Sequence, residues 1–323
     1  MTSLQVQCRA CQVTSTVDLN LTVAEPNLAA VSAVPNAEFI VVTWTAAETQ
    51  AMALVFGKGF YRFNGQDDNN LTPLLYSHLA PPTDERYHAH FFQATVNGKS
   101  VICLKSEFHP KLQPAETTLF FERLVGTSAG RNVGTVITSG TSGGIWERLD
   151  LGDVIVTNLA RFGMTMPKEQ QALLFSGLGD IVGSSAPAGN ANWYDYVNAQ
   201  ILQKDECLNS NLTSLGGRNA SSGPPSIYYQ AVGSGLTDVV TNSRISDDEC
   251  GKIDTYRTLG ATLDENDAYV ASALKAVGFT NWVSIRNVSD LPCAASSDDQ
   301  YDRFGYCSSI CGAYAIWAFI MSR

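Results

Sequence analysis

A glycine-rich stretch of the sequence has the residue types of a backbone that binds a ligand. It reads VITSGTSGGIWERLDLGDVIVTN, with two apolar runs around a small polar centre. That centre consists of Gly140, Thr141, Ser142, Gly143 and Gly144. Glycines let a backbone approach a ligand closely and point its N–H groups at the ligand. The stretch therefore predicts a turn that contacts a small molecule, although a purely structural turn has the same composition.

The stretch differs from the known nucleotide-binding loops, and the strand before it indicates where a ligand would bind. It contains neither the G-x-G-x-x-G pattern of dinucleotide-binding folds nor the Walker pattern of nucleotide phosphate loops. Ligands of open α/β sheets bind at the carboxyl ends of the strands. The first apolar run of the stretch is a predicted strand that ends at the glycines. We therefore expect the small molecule at that end of a sheet.

Strand and helix patterns alternate along the chain, which predicts an α/β fold. The β-branched run Glu38–Trp44 is typical of a buried strand, and Thr45 can cap the helix that follows it up to Gly57. The other predicted strands are Lys99–Lys105, Gly134–Ser139, Asp153–Asn158, Ser226–Val232 and Trp282–Val288. The other predicted helices are Pro114–Leu124, the segment TLDENDAYVASALKAVG that ends at Gly278, and an apolar C-terminal helix.

We predict one domain over residues 36–323, with a mixed central β-sheet flanked by helices. Residues 1–35 precede it as an N-terminal extension. Two ranges interrupt the alternation, near residues 66–96 and 187–225. The first is polar, aromatic and proline-bearing, and the second is rich in Asn, Ser and Gly. We expect both to be surface insertions in the domain.

Composition and charge exclude several classes of function. The chain has 323 residues, of which 45% are hydrophobic and 16% charged, and its net charge is −10. This supports a large core and argues against a nucleic-acid-binding surface, which is usually basic. No apolar run reaches the ~20 residues that span a bilayer. The N-terminus lacks a signal-peptide pattern, so we expect a cytoplasmic protein that binds no membrane.

The eight cysteines leave three alternatives open. Cys8 and Cys11 form a C-x-x-C, and Cys307 and Cys311 lie one helical turn apart. Zinc would need four ligands at such spacings, and no histidine-rich partner accompanies these pairs. Buried thiols are the main expectation, disulfides are the alternative, and no metal is expected.

The string TSGTSGGIWERLDLGDVIVTNLARF resembles the central signature of the purine nucleoside phosphorylase/uridine phosphorylase superfamily. That signature is an apolar strand, G-[ST]-[AC]-G-G, a short turn, a glycine–aspartate pair and a second strand. Weaker landmarks follow the same order: VVTWTAAETQAMALV with Glu48, VGSG at Val232–Gly235, LDENDAYVASAL, and SIRNVSD. The branch that this chain is most similar to is the methylthioadenosine/S-adenosylhomocysteine nucleosidases. The resemblance implies a nucleoside phosphorylase-like fold and cleavage of a nucleoside's N-glycosidic bond.

The resemblance also implies roles for single residues. Asp290 would hydrogen-bond or protonate the purine, beside Ser289, whereas on local grounds Asp290 reads as a turn residue. Glu265 would accept hydrogen bonds from the ribose hydroxyls, although Asp264 stands where the family usually has methionine. Glu48 would activate water, and Thr141 would bind the water or the sugar. Gly140 and Ser142 would line the site.

Three functions remain open after this. Hydrolysis is favoured because no arginine precedes Gly140, where many phosphorylases place one, and because Glu48 would repel phosphate. A phosphate-dependent nucleoside phosphorylase is the first alternative. A non-catalytic nucleoside-binding or storage protein is the second. The resemblance implies no cofactor, a purine nucleoside as the substrate, and a homo-oligomer.

Overall fold

The computed structural model describes residues 18–24, 30–31, 33–57, 63–64, 72–73, 77–79, 88–126, 133–187, 189–214, 218, 222–229, 239–241, 250–294 and 297–323. Within these ranges the chain folds into a mixed β-sheet with helices on both faces, as the sequence predicts. The motif Val232–Gly235 and the pair Cys8 and Cys11 lie outside the described residues.

Strands of the described ranges form one large sheet of fourteen members and one two-stranded sheet. They are β1 Leu21–Val23, β2 Ala30–Val31, β3 Ala37–Thr43, β4 Phe63–Asn64, β5 Thr72–Pro73, β6 Ser77–Leu79, β7 Ala89–Val96, β8 Lys99–Ser106, β9 Val133–Gly144, β10 Val154–Thr157, β11 Leu159–Phe162, β12 Leu174–Ser176, β13 Ile227–Tyr229, β14 Val239–Thr241, β15 Thr262–Asp264 and β16 Trp282–Asp290. The centre of the large sheet is parallel: β8 pairs with β3, β3 with β9, and β9 with β16. The carboxyl ends of these four strands therefore meet at one edge.

Helices cover the two faces of this sheet. They are α1 Ala46–Phe56, α2 Pro114–Val125, α3 Lys168–Gln171, α4 Trp193–Val197, a π-helix at Asn198–Leu202, α5 Glu206–Ser214, α6 Ile253–Arg257, α7 Asp267–Ala276 and α8 Ser297–Met321. In β3, Phe39 and Val41 pack toward the core that contains α1 and α8, whereas Ile40 and Val42 pack toward the core that contains α2 and α7. The alternation follows from the two-residue period of a strand, and it explains why this strand is apolar throughout.

The first strand–helix unit forms as predicted because its local signals agree. Thr45 is the N-cap of α1, and its hydroxyl accepts a hydrogen bond from Glu48 N. The Glu48 carboxylate accepts in return from Thr45 N at 2.9 Å, which completes a capping box. Gly57 ends the helix. The predicted helix at Pro114 also begins at that residue, with proline in the first turn.

The glycine-rich stretch is not the turn that the sequence predicts. Strand β9 continues through it to Gly144, paired with β16 on one side and with β15 at its end. The pairing partners come from residues 262–290, so this strand conformation is imposed by contacts distant in the sequence. Similarly, the predicted start of the helix TLDENDAYVASALKAVG is strand β15, and α7 begins at Asp267.

Part of the first range expected to be an insertion belongs to the sheet. Ala89–Val96 forms β7, which pairs with β8 along its whole length. Residues 21–23 of the N-terminal extension pair with β7 in turn. In the second range, α4 and its π-helical continuation pack beside α8, where Trp193 meets Trp317 edge to face.

The C-terminal helix α8 is a long helix with a continuous apolar stretch. The stretch Asp299–Met321 is long and apolar enough to cross a membrane by composition, but 89% of its most apolar window is buried inside the protein. It packs against α1 and β16. The apolar residues of α8 therefore form part of the protein core.

The main expectation for the cysteines is wrong for part of them. Cys250 and Cys293 form a disulfide, and Cys307 is also disulfide-bonded. Cys103 and Cys311 are free, and burial raises the pKa of both thiols. Among the described residues no group of His, Cys, Asp and Glu side chains is arranged to hold a metal ion.

We expect the Cys250–Cys293 disulfide to contribute to stability, because it closes a loop across 43 residues of sequence. Loss of such a bond costs about 2–4 kcal/mol. Cys293→Ser should therefore lower the urea midpoint of unfolding, and Cys250→Ser should lower it by a similar amount. The double variant should be no less stable than either single one, since both remove the same bond. An unchanged midpoint in both single variants would contradict this.

Candidate active site

The candidate site lies at the edge where the parallel strands β3, β8, β9 and β16 end. α1 follows β3 and carries Glu48. The segment 107–113 follows β8 and carries His109 and Lys111. Asp290 is the last residue of β16, and Glu265 directly follows β15. The segments after β3, β8 and β16 meet here because parallel strands present their carboxyl ends on the same side. Glu265 joins them because β15 pairs antiparallel with the end of β9.

Glu48 is held by four hydrogen bonds, although it is a helix residue of the kind that usually faces solvent. It is 3% exposed. One carboxylate oxygen accepts from Trp44 N and Thr45 N, both at 2.9 Å. The other accepts from Thr141 N at 2.9 Å and from Thr141 Oγ1 at 3.1 Å. Glu48 thus connects the start of α1 to the glycine-rich part of β9.

Arg286 is the buried cation behind this contact. It is 1% exposed, its Nε donates to Asp267 Oδ2 at 2.9 Å, and its Nη2 lies 3.1 Å from Asp264 Oδ2. Burial alone would lower the pKa of Arg286, but the carboxylates of Asp267, Asp264 and Glu48 outweigh it and raise that pKa. The guanidinium remains charged: its Nε and Nη2 contact carboxylates, and its Nη1 donates to Thr141 O at 3.4 Å. Its side chain also explains Gly140, where a Cβ would collide with Arg286 Nη1 and lie 2.9 Å from Glu48 Oε1.

Asp264, the departure from the family's methionine, has a structural position. It is 5% exposed, and its Oδ2 accepts from Asn266 N at 2.9 Å and Asp267 N at 2.7 Å. It therefore caps the start of α7 and adds a second carboxylate to Arg286. The neighbouring side chain of Glu265 is directed to other partners and is 45% exposed.

Glu265 meets two basic side chains from the segment 107–113. Lys111 Nζ lies 2.6 Å from Glu265 Oε1, and His109 Nε2 lies 3.8 Å from Glu265 Oε2. Burial lowers the pKa of His109, and the Lys111 ammonium lowers it further. The carboxylates of Glu265 and Glu48 raise this pKa, but it remains below its usual value. His109 thus lies within the electrostatic reach of both Glu265 and Glu48.

Asp290 contacts the glycine-rich strand at Gly143, two residues beyond the Thr141 that binds Glu48. Its Oδ1 accepts from Ser289 Oγ at 2.8 Å. It pairs with Gly143 after a bulge in β16. A Cβ at Gly143 would lie 3.4 Å from Asp290 Oδ2 and would collide with Pro292. A glycine at position 143 therefore lets the Asp290 loop close on β9.

Ser142 and Tyr301 complete the arrangement. The Ser142 hydroxyl donates to Asn287 O at 3.3 Å, so this side chain faces β16. Tyr301, near the start of α8, hydrogen-bonds to Thr45, and burial raises the pKa of its hydroxyl to about 12, with further contributions from Glu48 and Asp290. Although 37% of the residue is exposed, its hydroxyl lies within the electrostatic reach of both acids.

The structure therefore brings the residues predicted for the site to one edge of the sheet. It also adds Tyr301, His109, Lys111 and Arg286, to which sequence reasoning gave no role in the site. A signal for two of them was present in the sequence. The segment EFHPK begins two residues after the predicted strand Lys99–Lys105 ends, and loops at that strand end line the sites of α/β folds.

Comparisons with known proteins agree with this fold. No protein-family model matches the chain. A 5′-methylthioadenosine/S-adenosylhomocysteine nucleosidase of Psychromonas ingrahamii is 36% identical over 72 residues, which are 22% of this chain and 28% of that enzyme. The match thus spans little more than a quarter of the length of the curated relative.

Solved structures match over nearly the whole chain at low identity. The nucleosidase of the same name from Neisseria meningitidis, in complex with methylthio-immucillin-A, has a TM-score of 0.54 and 14% identity, and covers 88% of this chain and 99% of its own. The futalosine hydrolase of Helicobacter pylori has a TM-score of 0.51 and 13% identity, and covers 88% and 97%. This chain has the fold of the 5′-methylthioadenosine/S-adenosylhomocysteine nucleosidases, a nucleoside phosphorylase-like fold.

Proposed function

We propose that this protein hydrolyses the N-glycosidic bond of a purine nucleoside and releases the free base. One observation carries the proposal: Glu48 hydrogen-bonds to Thr141, and Asp290 pairs with Gly143. Residues two apart on a strand face the same side and lie about 7 Å apart. With one acid at each of these two positions, a nucleoside bound along β9 can have Asp290 at its base and Glu48 beside its sugar carbon.

Each acid has a distinct task in this proposal. Cleavage passes through a ribosyl cation and a departing base, and it needs stabilisation of the base, a bound sugar and a positioned nucleophile. Asp290 hydrogen-bonds to or protonates the purine. Glu265 accepts from the ribose hydroxyls. Glu48 and Thr141 orient the water.

The hydrogen bonds of Glu48 support one position for this water. A carboxylate has about four lone-pair sites, and all four accept hydrogen bonds in this structure. Three of the donors are backbone N–H groups that hold the carboxylate in place. The fourth is the Thr141 hydroxyl, which can rotate away from Glu48 Oε1 and leave that position for a hydrogen bond from water. We therefore propose that the nucleophilic water binds beside Glu48 Oε1 and Thr141 Oγ1, which contact each other directly at 3.1 Å.

The charges around the site support water over phosphate as the nucleophile. Arg286 is engaged by Asp264 and Asp267, and Lys111 is paired with Glu265. A phosphate at this position would meet the carboxylates of Glu48 and Glu265. Among the described residues of the site, these pairings leave no arginine fork directed at a dianion, which phosphorolysis usually requires.

A chromatographic screen of purine nucleosides for base release tests this proposal. 5′-Methylthioadenosine and S-adenosylhomocysteine should be included, because similar proteins are named for them. We expect equal base release in phosphate and in phosphate-free buffer. Release that requires phosphate would favour the phosphorylase alternative. Purine binding without cleavage of any nucleoside would favour the non-catalytic alternative. The homo-oligomer that the resemblance implies remains a prediction.

A further inference from the structure

The segment between β8 and α2 holds Lys111 at a fixed position beside Glu265. Ser106 Oγ accepts from Phe108 N at 3.0 Å and donates to Phe108 O at 3.1 Å. The backbone N–H groups of residues 112 and 113 both donate to His109 O, at 3.0 and 2.9 Å. Phe108 packs edge to face on Phe120 of α2. These contacts make the segment an ordered part of the site wall.

The Lys111–Glu265 pair connects residues 154 positions apart, and both side chains are partly accessible to a ligand. The 2.6 Å contact uses one carboxylate oxygen, Oε1. The other oxygen has His109 Nε2 at 3.8 Å, which is too long for a hydrogen bond. Among the residues that the structure describes, none donates a hydrogen bond to Glu265 Oε2, so this oxygen is available as an acceptor beside the Lys111 ammonium.

An ammonium and a carboxylate side by side match the chemistry of a vicinal diol. An ionised carboxylate only accepts hydrogen bonds, whereas a lysine ammonium has three donors and accepts none. One sugar hydroxyl can donate to Glu265 while its neighbour accepts from Lys111. A carboxylate alone would require both hydroxyls to act as donors. The pair therefore offers two different contacts, one to each hydroxyl.

We propose that Lys111 is a sugar-binding residue that, together with Glu265, forms a two-point clamp on the vicinal hydroxyls of the ribose. This inference rests on the proposed function, since it assumes that Glu265 faces the sugar. The clamp selects ribosides over deoxyribosides, because a missing hydroxyl leaves a charged group without its partner. A site built to hydrogen-bond a hydroxyl discriminates strongly against the analogue that lacks it.

The test compares Lys111→Ala with the wild-type protein on a purine riboside and on its 2′-deoxy and 3′-deoxy analogues. Hydrogen bonds to charged groups change affinity by about tenfold or more. We expect Lys111→Ala to raise KM for the riboside about tenfold with a smaller change in kcat. We also expect a change in specificity toward the deoxy analogue that lacks the hydroxyl bound by Lys111. The ratio of kcat/KM for the riboside to kcat/KM for this analogue should fall about tenfold.

Lys105→Ala is the matched control. Lys105 forms a similar ion pair with Glu107 at 2.8 Å, six residues before Lys111. We expect wild-type KM and wild-type discrimination for this variant. A Lys111→Ala protein with wild-type KM and unchanged discrimination against both analogues would overturn the proposal.

Calorimetric affinities of the same three nucleosides separate this proposal from the proposed function. Suppose that the wild-type protein cleaves none of the three nucleosides but binds the riboside more tightly than a deoxy analogue. The proposal of hydrolysis is then wrong. The clamp is still tested, because Lys111→Ala should lose this preference in affinity. If the wild-type protein hydrolyses the riboside and Lys111→Ala leaves all three affinities unchanged, only the clamp fails. A wild-type protein that binds none of the three overturns both.

Discussion

Asp290→Asn is expected to lower kcat for the best purine nucleoside by about 10²–10⁴-fold, the usual contribution of a general acid. Asparagine has the shape of aspartate and its amide oxygen can still accept from Ser289 Oγ, so the fold and nucleoside binding should persist. A riboside with a leaving group that departs without protonation should lose far less activity in the same variant. This contrast distinguishes an acid that assists the base from a residue that only shapes the loop.

The control for this variant is Asp299→Asn. Asp299 lies nine residues further along the chain, is exposed, and forms a weak pair with Arg303 at 3.7 Å. We expect wild-type turnover from it. Turnover of the natural nucleoside within a few-fold of wild type in Asp290→Asn would show that the acid is not needed.

Glu48→Gln is expected to abolish hydrolysis, with a loss of at least about 10³-fold, while substrate binding remains measurable. The amide cannot accept a proton from water. In addition, its NH₂ group would face N–H donors, either of Thr141 or of Trp44 and Thr45. The second effect destabilises the helix cap by about 1 kcal/mol, so unfolding must be measured together with activity.

Thr49→Val separates these two effects. Thr49 lies on the same helix, is buried, and its hydroxyl donates to Thr45 O at 2.8 Å. Its loss should cost a similar free energy of unfolding, about 1 kcal/mol, with activity retained. Full hydrolysis by Glu48→Gln would remove Glu48 from the mechanism. Equal loss of activity in both variants would reduce its role to stability.

The parts of the fold that local signals determine could be predicted from the sequence. The strand before Thr45, the capped helix α1 and the helix that begins at Pro114 all form as expected, because capping and periodicity act within a few residues. The mixed sheet and its helices follow from the alternation of such elements. The resemblance to a known family predicted the same fold from the glycine-rich string and four weaker landmarks.

Features that depend on contacts distant in the sequence could not be predicted in this way. Gly140–Gly144 has the composition of a turn, but β15 and β16 pair with it and extend it as a strand. The role of Asp264 depends on its contact with Arg286, which lies far away in the sequence. Similarly, Lys111 approaches Glu265 because β8 and β15 belong to the same sheet, with β3 and β9 between them. Propensity carries no information about these neighbours.

Disulfide pairing has the same limitation. Cys250 and Cys293 lie 43 residues apart, and spacing drew attention to other cysteines instead. The disulfide also bears on the expected cytoplasmic location, which remains a prediction. Disulfides persist mainly in oxidising compartments, so this bond argues for a less reducing environment than most bacterial or eukaryotic cytoplasm.

The most direct test of the account is the fate of the sugar in ¹⁸O-labelled water without phosphate. The account predicts that the water beside Glu48 and Thr141 attacks the sugar. The free sugar should then carry one ¹⁸O atom for each base released. Base release that stops without phosphate, with the sugar recovered as an unlabelled sugar phosphate once phosphate is added, would contradict it.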